Sequence, residues 1–215
     1  MGGRSIRGTR SADFARRRLG RSFYERAVLE VARECLGKIL VHDSPEGLVA
    51  GTIVESEAYR GPEDRAAHSY GGRRTKRTEA MFGPAGHAYV FLIYGLHHNF
   101  NVVAGSEGQP HAVLIRSVEP LVGLELMARR RGLDPNRVDL TNGPGKLTKA
   151  LGISLEHYGA DLCRGSLYLA DGPRVRTQRS PRVGVDYAGS WATRPWRFFA
   201  AGNRYVSTTR RSGSR

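Results

Sequence analysis

The sequence predicts an α+β fold: a single domain whose core is a curved, open-barrel-like antiparallel β-sheet, with peripheral helices and a protruding hairpin. Two observations carry this. The strand-like segments cluster and are joined by links of hairpin length, as in antiparallel sheets. The helical segments are few and do not alternate regularly with strands, which fits a parallel βαβ arrangement poorly. The length of 215 residues suits one well-filled domain.

Residues 1–20 hold Gly2, Gly3, Gly20 and a run of Arg with the single acid Asp13. They read as a flexible basic arm, and residues 208–215 as a similar tail. The folded domain is expected over 21–207. Tyr24, Val28, Val31, Ala32 and Cys35 recur at helical spacing, and Gly37 stops the pattern. Residues 39–41 and 48–57 read as strands. Residues 87–94 and 100–104 read as two more, joined through 95–99 as a hairpin. Residues 112–118 form a further strand. A helix over 119–131 is expected, opened by Glu119-Pro120 and closed by Arg129, Arg130 and Arg131, as the helix dipole favours. Asn142 is placed to cap a helix starting at Gly143-Pro144. Residues 166–170, 182–185 and 196–200 are late strands.

The formal charge is +14, with a sequence pI near 10.5. Self-repulsion of that size does nothing for compaction, so a polyanionic partner is the natural reading, set against a generally Arg-rich surface. No basic amphipathic stretch with exposed aromatic residues points to a membrane surface, and no apolar run approaches the ~20 residues that span a bilayer. Cys35 and Cys163 lie in no ligand-like cluster. The expectation is a reducing compartment, cytoplasm or nucleus, with no disulfide framework.

The segment from Val54 to Ser69, VESEAYRGPEDRAAHS, could carry chemistry. Glu55 and Glu57 are two apart, so on a strand they point the same way, and Tyr59 continues that face. The run leaves regular structure at Gly61-Pro62, where a rigid strand hands over to a loop. A solvent-facing strand edge with ordinary charges is the competing reading. The second segment, YVFLIYGLHHNFN from Tyr89 to Asn101, is aromatic and turns at Gly95. Its rings either fill a core or, near an exposed tip, stack on or wedge between bases. Gly143-Pro-Gly-Lys-Leu147 is no P-loop, because Leu follows the Lys. It does offer free helix N–H groups at Gly145 beside Lys146, which suit a phosphate. No His falls in a metal-ligand spacing.

Taken together, IVESEAYRGPEDRAAHS (53–69), MFGPAGHAYVFLIYGLHHNFNV (81–102), VLIRSVEPLVGLELM (113–127), NGPGKL (142–147) and RVGVDYAGSWATRPWRFF (182–199) resemble the alkyladenine (3-methyladenine, methylpurine) DNA glycosylase family. The likeness runs in order over roughly residues 20–207. It implies a monofunctional enzyme of base excision repair, expected as a monomer. Such an enzyme flips alkylated or deaminated purines from double-stranded DNA and hydrolyses the N-glycosidic bond without metal or cofactor.

By that resemblance Glu57 activates the attacking water, held also by Arg116 and the carbonyl of Val183. Tyr59 and His68 pack on the flipped base. Tyr94 is the DNA-intercalating residue of the hairpin, filling the gap left in the duplex. Asn101 lines the pocket and crowds guanine. Lys146, Gly145 and His97 are expected on the DNA backbone. The chain departs from the family's better known members in having Phe91 where a second Tyr is common, and in reading Leu96-His97-His98 after the hairpin tip. The alternatives are a non-catalytic nucleic-acid-binding protein of the same fold, a small-substrate hydrolase or transferase, and a glycosylase with lyase activity.

Overall fold

A computed structural model describes residues 6–208. In chain order it forms α1 (Ile6–Arg16), α2 (Arg21–Tyr24), α3 (Val28–Glu34), β1 (Ile39–Ser44), β2 (Gly47–Arg60), β3 (Ala88–Ile93), β4 (His97–Ala104) and β5 (His111–Val122). There follow α4 (Leu124–Arg131), α5 (Pro144–Leu151), β6 (Leu167–Ala170), β7 (Thr177–Ser180) and β8 (Arg197–Ala200), with short 3₁₀ turns between.

The spine is β2. Its first 12 residues are all buried, so it reads as a continuous run, the mark of a strand covered on both faces. The sheet runs β3-β4-β5-β2-β1-β6, and β8 joins β2 beyond the end of β1, with β7 outside it. Every pairing is antiparallel. The result is the curled antiparallel sheet with peripheral helices that the sequence predicts.

The two faces of β3-β4-β5-β2 do different work. On one, Val90, Phe100, Val113, Ile115 and Ala58 join a core with Val31 of α3, Met127 of α4 and Leu147 of α5. On the other, the register lays Tyr89, Asn101, Leu114 and Glu57 side by side across four strands, and β8 adds Arg197. Strand periodicity adds Phe91, Asn99, Ala112 and Tyr59 to that second face. Register shifts between Ile53 and Ser56 leave Arg116 without a cross-strand partner. Such a bulge re-aims side chains.

Four sequence expectations are corrected. Residues 119–122 continue β5 instead of opening a helix. Pairing with β2 prevails there, and Pro120 is tolerated at a register shift. The helix starts at Leu124, after Gly123 in a left-handed conformation (φ 80°). Residues 182–185 form no strand; the backbone N–H of Val183 goes to the Glu57 carboxylate instead of a ladder. The hairpin turn is tighter than 95–99, since β4 already begins at His97. Asn142 does not cap α5; its side chain accepts from Lys146 Nζ at 2.8 Å, and Gly143 is the cap position.

The N-terminal basic stretch is in part docked. Phe14 of α1 is buried with Ile39, Val41 and Tyr168, and the Arg18 guanidinium lies 3.9 Å from the Tyr168 ring centroid. Residues 1–5 and 209–215, the rest of the expected arms, lie outside the described residues. Among the described residues no helix is long and apolar enough to cross a membrane.

A histidine pair ties β1 to the turn after α5. The Ser154 N–H donates to His157 Nδ1 at 3.2 Å, so neutral His157 carries its proton on Nε2. That proton faces His42 Nε2 at 3.2 Å, and His42 Nδ1 then donates to the Leu151 carbonyl at 2.8 Å. The chain of donors works only with both rings neutral, and burial pushes both pKa values below the usual histidine range. The unfolded chain takes up these protons near pH 6.5, the folded protein only in stronger acid. This part of the stability is therefore complete above about pH 6.5 and is lost as pH falls below it. Urea midpoints should drop between pH 7.5 and 5.5, and by less in a His157→Gln variant. Equal slopes in the two proteins would remove the pair from the account.

Candidate active site

The polar centre of the second face is Glu57, which is fully buried. A solvent-facing edge is thereby ruled out for this strand. Its Oε1 accepts from the Val183 N–H at 2.8 Å. Its Oε2 accepts from the Tyr59 hydroxyl at 2.8 Å and faces Arg116 Nη1 at 3.3 Å. Burial and the Glu57 charge raise the Tyr59 pKa far above the usual phenol range, so Tyr59 stays a neutral donor. An ionised carboxylate has about four acceptor sites. Hydrogen bonds fill two of them, and the Arg116 guanidinium adds an ion pair.

Behind Glu57 lies a second fully buried carboxylate, Glu55. It accepts from Arg116 Nε at 2.8 Å, Arg197 Nε at 2.7 Å, the Ser117 hydroxyl at 2.9 Å, and the N–H and hydroxyl of Ser207 at 2.7 and 2.8 Å. On a regular strand Arg116 and its neighbour Ser117 would face opposite ways. The bulge lets both reach Glu55. Burial raises the Glu55 carboxyl, but the Arg116 and Arg197 guanidiniums and the Ser207 N–H outweigh it and hold it below the usual carboxylate range. Arg116 thus bridges the two carboxylates, which keeps it charged despite burial.

In front of this cluster is a cavity of about 220 Å³. Tyr59, Arg116 and Val183, the three groups that hold Glu57, line it, together with His68, Phe91 and Asn101. Glu57 itself is behind that lining. Asn101 Nδ2 donates to the Tyr89 carbonyl at 3.0 Å. His68 Nδ1 lies 2.8 Å from the Tyr89 hydroxyl, and its ring meets Phe91 edge-on at 4.6 Å. More than a third of His68 is exposed, and it lines this cavity. Desolvation there, with Arg77 and Arg73 close by, pushes its pKa down to about 4, so the ring is neutral.

The methylpurine-DNA glycosylase (MPG) family matches residues 22–204. The chain belongs to this family. Relatives that carry the provisional name 3-methyladenine DNA glycosylase occur in Desulfitobacterium hafniense (50% identical, 89% of this chain, 98% of the relative) and Bacillus licheniformis (51%, 86% and 94%). A Bacillus cereus relative of the same name is 48% identical over 86% of this chain and 97% of its own. The chain is thus a DNA glycosylase, a hydrolase that repairs alkylation damage to DNA.

In this glycosylase the cavity opens beside the β3–β4 hairpin. At its tip Tyr94 (φ 51°) and Gly95 (φ 69°) are both left-handed, and the turn is closed by the Leu96 N–H on the Ile93 carbonyl at 3.2 Å. Two successive positive φ values match the twist of the flanking strands. Tyr94 has no packing reason to accept that conformation: its side chain is 88% exposed. Leu96 beside it is 77% exposed. The hairpin base leans on α5. A Cβ on Gly145 would meet the His97 Cβ at 3.0 Å, so glycine lets the helix N-terminus approach the strand. Lys146 therefore lies near the hairpin, on which His97 is exposed, and Lys146 Nζ is hydrogen-bonded to Asn142.

Several residues of the site are missing from the sequence reading. Arg182 grips Asp64 through both terminal nitrogens (2.5 and 2.8 Å) and lies 4.7 Å over the Tyr59 ring. It fixes the loop that delivers Val183. Tyr187, 73% exposed, stands at the cavity mouth. Arg197 and Ser207 anchor Glu55. The one available signal was residue type: an Asp and an Arg too far apart in sequence to be paired by spacing.

Proposed function

We propose that this chain flips alkylated purines out of duplex DNA and hydrolyses the N-glycosidic bond with a water activated by Glu57. The observation that carries the reading is a buried carboxylate held by three groups that all line an aromatic cavity, with acceptor capacity beyond its two hydrogen bonds. The target bond lies inside a stacked helix, so the nucleotide must rotate out at a cost of a few kcal/mol. Tyr94, displayed at the hairpin tip, offsets part of that cost by filling the gap. Arg and Lys on phosphates supply more, with Lys146, Gly145 and His97 as backbone contacts, so affinity falls steeply with salt.

In the cavity the base stacks against Tyr59 and His68, at ~1–3 kcal/mol per stack. A methylated purine is cationic and is attracted to aromatic faces. A neutral His68 does not repel it. As the bond breaks, the sugar gains oxocarbenium character, as in glycoside hydrolysis generally. The Glu57 charge then stabilises the sugar, and its free lone pair takes a proton from the attacking water. Arg116 and Val183 orient that water. The reading includes neither a Schiff base nor strand cleavage, and borohydride trapping tests that.

The test is release of free base from methylated duplex DNA, separated by chromatography. Binding without release would leave a nucleic-acid-binding module. In the same assay Tyr94→Gly should cut release at least tenfold and weaken flipping as read by 2-aminopurine fluorescence. It should not destabilise the fold, because relieving a left-handed non-glycine residue is worth about 1 kcal/mol. An unchanged flipping equilibrium would count against the wedge.

A further inference from the structure

Asn99 lies on β4 two residues before Asn101, on the same face, opposite Phe91. It lines the same cavity and is 6% exposed. The amide of Asn101 is committed to the Tyr89 carbonyl. That of Asn99 is not. Its Oδ1 is one of four buried side-chain polar atoms without a hydrogen-bond partner among the described residues, with Tyr24 Oη, Arg26 Nη2 and Arg182 Nε. It alone belongs to a residue that lines this cavity.

Folded proteins leave few such atoms, because a buried carbonyl loses its hydration without replacement. A free acceptor on a residue that lines a binding cavity is complementary to a donor on the ligand once the amide turns toward it. Purines divide by the group at position 6: adenine derivatives carry an amino donor, guanine and hypoxanthine an oxo acceptor. We propose that Asn99 is a specificity-determining residue that accepts a hydrogen bond from the 6-amino group of a cationic adenine lesion. The inference rests on the excision activity proposed above.

An asparagine amide can turn and offer Nδ2 instead, so its preference depends on the charge of the base. In a methylated, cationic purine the 6-amino protons are strengthened as donors and an oxo oxygen is weakened as an acceptor. The carbonyl therefore gains more from a 6-amino cation than Nδ2 gains from a 6-oxo cation.

DNA treated with dimethyl sulfate carries 3-methyladenine and 7-methylguanine in one molecule, both cationic, one with each 6-substituent. Release of the two bases is measured for the wild type, Asn99→Ala and Asn99→Asp. The Ala variant should lower 3-methyladenine release relative to 7-methylguanine by roughly tenfold. The near-isosteric Asp variant keeps an acceptor and should keep the preference. A ratio unchanged in the Ala variant, or lost in the Asp variant, would overturn the proposal. Asn99 has no side-chain partner to orphan, so Ala should fold; if it does not, the Asp result decides. A wild type that releases neither base removes the activity itself, and this inference with it.

Discussion

Glu57→Gln should lower the single-turnover rate of base release by roughly 10²–10⁴-fold, the usual worth of a positioned general base, while binding to damaged duplex stays near wild type. The substitution is sterically quiet. The glutamine carbonyl can still accept from the Val183 N–H, and the Tyr59 hydroxyl can turn to accept from the new amide. Arg116 keeps its bond to Glu55. What disappears, in the proposed mechanism, is the negative charge beside the sugar and the lone pair that takes the proton. Rapid-quench kinetics with fluorescence anisotropy separates chemistry from binding. Release within a few-fold of wild type would transfer the role to another group.

Glu55→Ala should be the most destabilising single change in the site. It removes an acceptor of five hydrogen bonds and leaves Arg116 and Arg197, both buried, short of counter-charge. Breaking a buried pair this way costs about 3–5 kcal/mol. At ~2–4 °C per kcal/mol for a chain this size, the melting point should fall by roughly 6–20 °C. Activity at a temperature where the variant remains folded should fall too, since Arg116 loses the anchor that aims it at Glu57. Because its neighbours hold the Glu55 carboxyl below the usual range, its contribution is complete above about pH 4.3 and is lost only as pH falls further. Calorimetry showing a loss under 1 kcal/mol would make this hub incidental.

What the sequence conveyed was periodic or local. Alternation along a strand placed Glu55, Glu57 and Tyr59 on one face, and the aromatic run before Gly95 marked the hairpin. The family resemblance singled out Arg116, His68 and Val183, and the fold brings all three to one cavity. What it could not convey depends on register. The bulge that turns both Arg116 and Ser117 toward Glu55 has no local signature. The Arg182–Asp64 clamp spans more than a hundred residues. The extension of β5 through Pro120 reversed a helix reading that end-of-helix signals favoured, because a neighbouring strand was there to pair with. Asn99 falls within the stretch read as the hairpin link, 95–99, and only the strand register brings it to the cavity.

The backward-bent backbone at position 94 also bears on how such an enzyme scans a chromosome. A probe on a floppy loop would have to be put in order at each base pair it inspects, and that ordering would be deducted from every encounter. Here the turn fixes the backbone at Tyr94 before any duplex is met, so under the proposed intercalation the backbone share of that cost is settled at folding. Inspection can then be brief, and the time at each stop is left to how readily the base itself leaves the stack.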